Sequence, residues 1–153
     1  MESGPEGARD TGTPVRTLEE RIDFISTYDR LIELFGMEVE EAGEGYAAVS
    51  ATVQEGFLNA HELAHGSFIF ALADVAFALT VNSLTDAVGV DYSMSLFRST
   101  RIGDRVTAKC RVIHRGRRLL VVEFKATASG GRLLAKGQAT AMPLEAKRHM
   151  GRS

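Results

Sequence analysis

SFIFALADVAFALTVNS, residues 67–83, carries almost no polar face. A helix that is apolar all round is normally enclosed by protein on every side. Its apolar run, Phe68 to Val81, is interrupted by Asp74 and falls short of the roughly 20 residues that a bilayer span requires. The segment from Ser67 to about Asn82 therefore predicts a buried central helix, and the rest of the chain is expected to supply what covers it.

Strand candidates stand on both sides of that helix. Upstream, MEVEEAGEGYAAVSATV (residues 37–53) reads as two strands joined at Glu44-Gly45, with Ala47, Val49, Ala51 and Val53 in alternation. Downstream lie VGVDYSMSLFR, RVTAKCRVIHR, LLVVEFKATAS and RLLAKGQATAM, with turn chemistry at Gly103-Asp104, Gly116 and Gly130-Gly131. A further helix is predicted over Thr17–Gly36, opened by a Thr17/Glu20 capping box and closed by Gly36. Leu18, Ile22, Ile25, Ile32 and Phe35 would form its buried stripe. Helix, two strands, apolar helix and four strands predict an α+β fold, a mostly antiparallel sheet curled round the central helix. The expected layout is a leader over 1–16, one domain over 17–143 and a tail over 144–153.

The 153 residues, 44% hydrophobic and 25% charged, are ample for one real core. A net charge of −2 provides no basic field for nucleic acid or a membrane surface. MESGPEGARDTGTPVR lacks an apolar core of signal-peptide length. The single cysteine, Cys110, excludes an internal disulfide and fits a reducing, cytoplasmic setting. It shares a strand face with Val106, Ala108 and Val112, which makes it a small core residue.

Asp74 is the one ionisable group in the central helix. Two readings stand: a carboxylate at an edge, solvated or bonded to backbone, or one positioned in a cleft for chemistry. Gly66 adjoins the expected helix start, where unpaired N–H groups favour negative charge and could stabilise a developing oxyanion. It could equally be a plain turn residue. Asp74 follows Gly66 by eight residues, roughly 12 Å of α-helix. Reacting atoms must approach within about 3–3.5 Å. If both act on one substrate, the simplest arrangement pairs Gly66 of one subunit with Asp74 of another.

His61-Glu62-Leu63-Ala64-His65 matches the H-E-x-x-H string of zinc metalloproteases. That chemistry needs both histidines on one helix face, whereas Gly66 places the helix start after them. The longer pattern requires Gly and His where Phe68 and Ala71 stand. No third ligand can be identified, so no metal is expected here.

LNAHELAHGSFIFALADVAFALTVNS, residues 58–83, resembles the acyl-coenzyme A thioesterases of the hot-dog superfamily, especially the phenylacetic acid degradation thioesterases. The pattern is L-N-x-H, three residues, H-G, L-A-D-x-A-F-A and a terminal N-S. The later strand region, with its Gly103-Asp104 turn, extends the likeness to about residues 20–143. The resemblance implies metal-independent hydrolysis of an acyl-CoA without a cofactor, the acyl group being phenylacetyl or a hydroxylated relative. It implies Asp74 as general base or nucleophile, the Gly66 N–H polarising the thioester carbonyl, and Asn59 and His65 positioning water or substrate. It also implies active sites between subunits of a homodimer, with dimers pairing into tetramers. Ser67 departs from a second glycine common in the family, which bears on substrate preference. Arg98, Arg101, Arg115, Arg117 and Arg118 are candidates for the CoA phosphates. A non-catalytic acyl-CoA-binding protein and a hot-dog hydratase or dehydratase are the alternatives.

Overall fold

The computed structural model describes residues 16–144. The leader and tail expected at 1–16 and 144–153 lie, apart from Arg16 and Leu144, outside the described residues. The Thr17 hydroxyl accepts from the Glu20 N–H at 3.2 Å while the Glu20 carboxylate accepts from the Thr17 N–H at 2.9 Å, which is the capping box read from sequence. The helix it opens is shorter than expected. Helix α1 spans Leu18–Tyr28, and α2, Arg30–Leu34, starts afresh beyond Asp29. Asp29 is extended (φ −73°, ψ 111°) and its carboxylate accepts from the Leu31 N–H at 3.1 Å. A short acceptor side chain offers the backbone an alternative to helix, and here it caps a second one. Ile22, Ile25, Ile32 and Phe35 pack on the core, whereas Leu18 stays 40% exposed, outside the stripe predicted for it.

Strands β1 (Glu38–Gly43) and β2 (Tyr46–Thr52) form a hairpin closed by Glu44 and Gly45. Gly45 has φ +78°, a region that favours glycine in two-residue hairpin turns. The central helix α3 spans Gly66–Asn82, followed by β3 (Ala87–Leu96), β4 (Arg105–Arg115), β5 (Leu120–Ala128) and β6 (Arg132–Pro143). The six strands form one sheet in the order β1-β2-β4-β5-β6-β3, antiparallel throughout.

Period-two alternation turns one face of each central strand toward α3. Ala47, Val49 and Ala51 of β2, Val106, Ala108 and Cys110 of β4, and Leu120, Val122, Phe124 and Ala126 of β5 are all buried. The many alanines let the helix lie close to the sheet, the hot-dog arrangement of a curved sheet round one long helix. Burial pushes the Cys110 thiol up to about 12, which leaves it an inert packing group at neutral pH.

The Asn-Ser pair at the end of α3 is structural. Asn82 donates to the Ala78 and Ala87 carbonyls and accepts from the Ala87 N–H, which ties the start of β3 to the helix. Ser83 donates to the Thr80 carbonyl at 2.6 Å and accepts from the Gly45 N–H at 2.9 Å, anchoring the β1–β2 turn.

Enclosure of α3 is incomplete within one chain. Ser67, Phe70, Asp74, Ala78 and Asn82 escape full burial, and their spacing of three and four places them on one stripe. The two sheet edges also differ. β1 carries Glu38, Glu40 and Glu41 and a bulge, the usual protection of an edge. β3 has one charge, Asp91, and exposes Val90, Tyr92 and Leu96 at 45, 37 and 52%. No helix among the described residues is long and apolar enough to cross a membrane.

Candidate active site

Residues 58–65 fold as a tight turn, not as helix. Leu58 and Ala64 form an isolated antiparallel bridge. Within it, the Asn59 N–H donates to the Leu63 carbonyl at 2.7 Å and the Glu62 N–H to the Asn59 carbonyl at 3.0 Å. The Asn59 side-chain oxygen accepts from the N–H groups of His61 and Leu63, at 2.9 and 3.2 Å. Glu62 sits at φ +60°, a left-handed conformation foreign to an α-helix. His61 and His65 therefore share no helix face, and the i,i+4 spacing of the H-E-x-x-H string has no ligand geometry. No group of three or more His, Cys, Asp or Glu among the described residues is placed to hold a metal ion.

His65 ends the turn as the N-cap of α3, extended at φ −62°, ψ 140°. Its Nδ1 accepts from the Ser67 N–H at 3.2 Å and lies 2.7 Å from the Ser67 hydroxyl. Ser67, the departure from glycine, is thus engaged with His65. The first helical residue is Gly66. Its N–H has no acceptor among the described residues, as the geometry of a helix start dictates. Asn59, Gly66, Leu96 and Arg98 line one cavity of about 280 Å³. Because the Asn59 oxygen is committed to the turn, its amide NH₂ is the part left for a ligand. A side chain at Gly66 would bring its Cβ within 2.9 Å of Leu96 Cδ1, across the same cavity.

Asp74 lies on the open stripe of α3 and does not line that cavity. Burial raises its carboxyl above the ordinary carboxylate range, the Tyr92 hydroxyl beside it works in the opposite direction, and Asp29 raises it again. Tyr92 was not singled out in the sequence. Its phenol is raised above its ordinary value by burial and by Asp74, so it stays protonated and available as a donor.

The helix from Gly66 to Asp74 is unbroken, which keeps the two groups roughly 12 Å apart in one chain. The arginines also divide. Arg98 lines the Gly66 cavity and donates to the Leu133 carbonyl at 2.9 Å, and Arg101 stands exposed just beyond it. Arg115, Arg117 and Arg118 lie at the far end of the 11-residue strand β4, roughly 30 Å away at 3.3 Å per residue. One chain therefore gathers two of the five. The phenylalanines divide likewise: Phe57 and Phe68 stack at 5.0 Å in the core, while Phe70 and Phe77 flank Tyr92.

The thioesterase superfamily model matches residues 61–135, from the turn through α3 into β6. The acyl-coenzyme A thioesterase PaaI of Escherichia coli is 34% identical over 98 residues, 63% of this chain and 70% of that protein. The solved structure of the E. coli PaaI protein from the phenylacetic acid degradation operon has a TM-score of 0.79 at 27% identity, covering 82% of this chain and 92% of that one. A hypothetical thioesterase protein from Streptococcus pneumoniae, solved with coenzyme A, has a TM-score of 0.69 at 25% identity, covering 79% and 92%.

Proposed function

The chain belongs to the thioesterase superfamily, and on that premise we propose that it hydrolyses an acyl-coenzyme A at sites shared between two copies. The observation that carries this reading is the pair of complementary groups on one helix. A free N–H stands at the start of α3, and a half-buried carboxylate lies on its open stripe, too far along for both to reach one carbonyl. A second copy supplies the missing group at each site. The edge β3, with the single charge of Asp91 and its exposed Val90, Tyr92 and Leu96, supports pairing there, because such an edge is ordinarily covered.

In the proposed reaction the thioester carbonyl oxygen accepts from the Gly66 N–H of one copy. The ionised Asp74 of the other takes a proton from water, and the hydroxide attacks the carbonyl carbon. Negative charge gathers on the oxygen facing Gly66, where the fixed donor and the helix dipole stabilise it. Collapse of the tetrahedral intermediate breaks the C–S bond, and the thiolate leaves with the proton held by Asp74. A direct attack by Asp74, through an anhydride, uses the same residues. Single turnover in ¹⁸O-water separates the two by whether label enters the enzyme. Asn59 and His65 position water or acyl group, and Arg98 and Arg101 hold CoA phosphates. Phe70 and Tyr92 beside Asp74 favour an aryl acyl group.

Thiol release measured across aryl, short and long acyl-CoA thioesters tests the reading, with turnover expected and highest on aryl substrates. Binding of coenzyme A without turnover of any thioester would point to a non-catalytic acyl-CoA-binding protein instead.

A further inference from the structure

We propose that Tyr92 is a positioning residue for Asp74: its phenolic O–H, lodged in a slot that Gly89 leaves empty, donates to the carboxylate and fixes its orientation. This rests on the reading of Asp74 as the reactive carboxylate. Three features build the arrangement. First, the Tyr92 ring packs edge-on against Phe70 and Phe77, at centroid distances of 5.2 and 5.4 Å. Those residues lie four before and three after Asp74, hence one turn to either side on the same helix face. A ring held by both is centred on the turn that bears the carboxylate.

Second, Gly89 is required by the phenol. A Cβ at position 89 would overlap the Tyr92 hydroxyl oxygen and lie 2.5 Å from the ring carbon Cζ. Third, residues three apart on a regular strand point to opposite faces, so Gly89 and Tyr92 should not meet. The register of β3 against β6 slips between Gly89 and Asp91, leaving Val90 unpaired. That bulge returns Tyr92 to the face of Gly89. Bulge, glycine and aromatic pair all serve the placement of one hydroxyl.

A donor to the ionised carboxylate favours that form. The groups acting on Asp74 among the described residues are Tyr92 from β3 and Asp29 from the α1–α2 junction, and Asp29 opposes ionisation. Removing the Tyr92 hydroxyl therefore leaves burial and Asp29 unopposed.

The test compares Tyr92→Phe with wild type in two readouts. In the pH profile of kcat/KM for an aryl-CoA thioester, the acid limb should move to higher pH, with kcat at its plateau falling about tenfold and KM little changed. In a ¹³C carboxyl titration by NMR, which needs no turnover, the Asp74 midpoint should rise. A Gly89→Ala variant, which crowds the slot, should shift the midpoint in the same direction. An Asp74 midpoint unmoved or lowered in Tyr92→Phe overturns the proposal even where catalysis is intact. A raised midpoint with no turnover by wild type upholds Tyr92 while removing the thioesterase reading.

Discussion

Mixing two inactive variants tests whether each site is assembled from two chains. Asp74→Asn removes the base with little change of shape, and loss of such a group costs about 10²–10⁴ in rate. Gly66→Pro removes the N–H at the first helical position, where proline is well tolerated. His65 already has the extended backbone, φ −62° and ψ 140°, that a residue before proline requires. The new side chain would meet Leu96 Cδ1 at 2.9 Å, the end of a flexible chain that can turn aside. Loss of one oxyanion donor costs about 10²–10³, so either variant alone should keep under about 1% of activity. Unfolded together and refolded at equal concentration, half of the dimers formed are mixed. Each mixed dimer pairs the sound Gly66 of one chain with the sound Asp74 of the other at one site, and both defects at the second. Half of the sites in half of the dimers are intact, so thiol release should recover to about a quarter of wild type for a two-fold symmetric dimer. If native mass spectrometry finds mixed dimers at half abundance and activity stays at the level of the parents, both groups act within one chain.

Glu62→Gln should leave kcat/KM within about twofold of wild type and stability within about 0.5 kcal/mol, because Glu62 is an exposed turn residue; a large loss would restore the metal reading of the string. Arg98→Ala and Arg101→Ala should raise KM for CoA thioesters more than they lower kcat, with Arg117→Ala inert, as steady-state kinetics on an acyl-CoA and a truncated thioester would reveal. Asp74→Asn should also melt no lower than wild type at pH 8. The folded-state carboxyl is raised, so its contribution to stability is full below the ordinary carboxylate pKa and lost as pH rises through the folded value. The asparagine lacks that loss, and melting curves at pH 4 and pH 8 should show the variant gaining on wild type as pH increases.

Local signals are what made most of the fold legible. The central helix, expected from Ser67 to about Asn82, runs Gly66–Asn82, and the strand expected over 105–115 runs Arg105–Arg115. Alternation, capping and turn glycines act within a few residues, so they can be read in order along the chain. The break at Asp29 was hidden because Ile22, Ile25, Ile32 and Phe35 keep helical spacing across it, and the competing Asp29–Leu31 bond leaves no periodic trace. The arginines failed to sort for the opposite reason: Arg101 and Arg115 both sit at turns, and only the length of β4 shows that they stand at opposite ends. Of the proposed site, Asp74 and Gly66 stood out by their places in and before the apolar helix, while Asn59 and His65 entered only through the family resemblance. Tyr92 was not legible, since perfect alternation would place it on the face opposite Gly89, and the bulge at Val90 reverses that inference.

The same bulge connects the chemistry to the assembly. The stripe of α3 left open in one chain bears Asp74, and the strand next to it, through Tyr92, is the sparsely charged edge β3. A monomer would leave a raised carboxylate and the apolar side chains Val90 and Leu96 facing water together. Pairing two β3 edges would cover those side chains and satisfy the free backbone groups of the edge. It would also carry the helix start of one copy toward the open stripe of the other, across the separation that one chain cannot close. In that arrangement dimerisation is a condition for having a site at all, and variants that weaken the β3 edge should lose activity and association in parallel. Dilution would distinguish this from simple damage: in Val90→Lys, which charges an exposed edge position without touching the β3–β6 ladder, kcat per chain should fall with protein concentration and recover when the protein is concentrated.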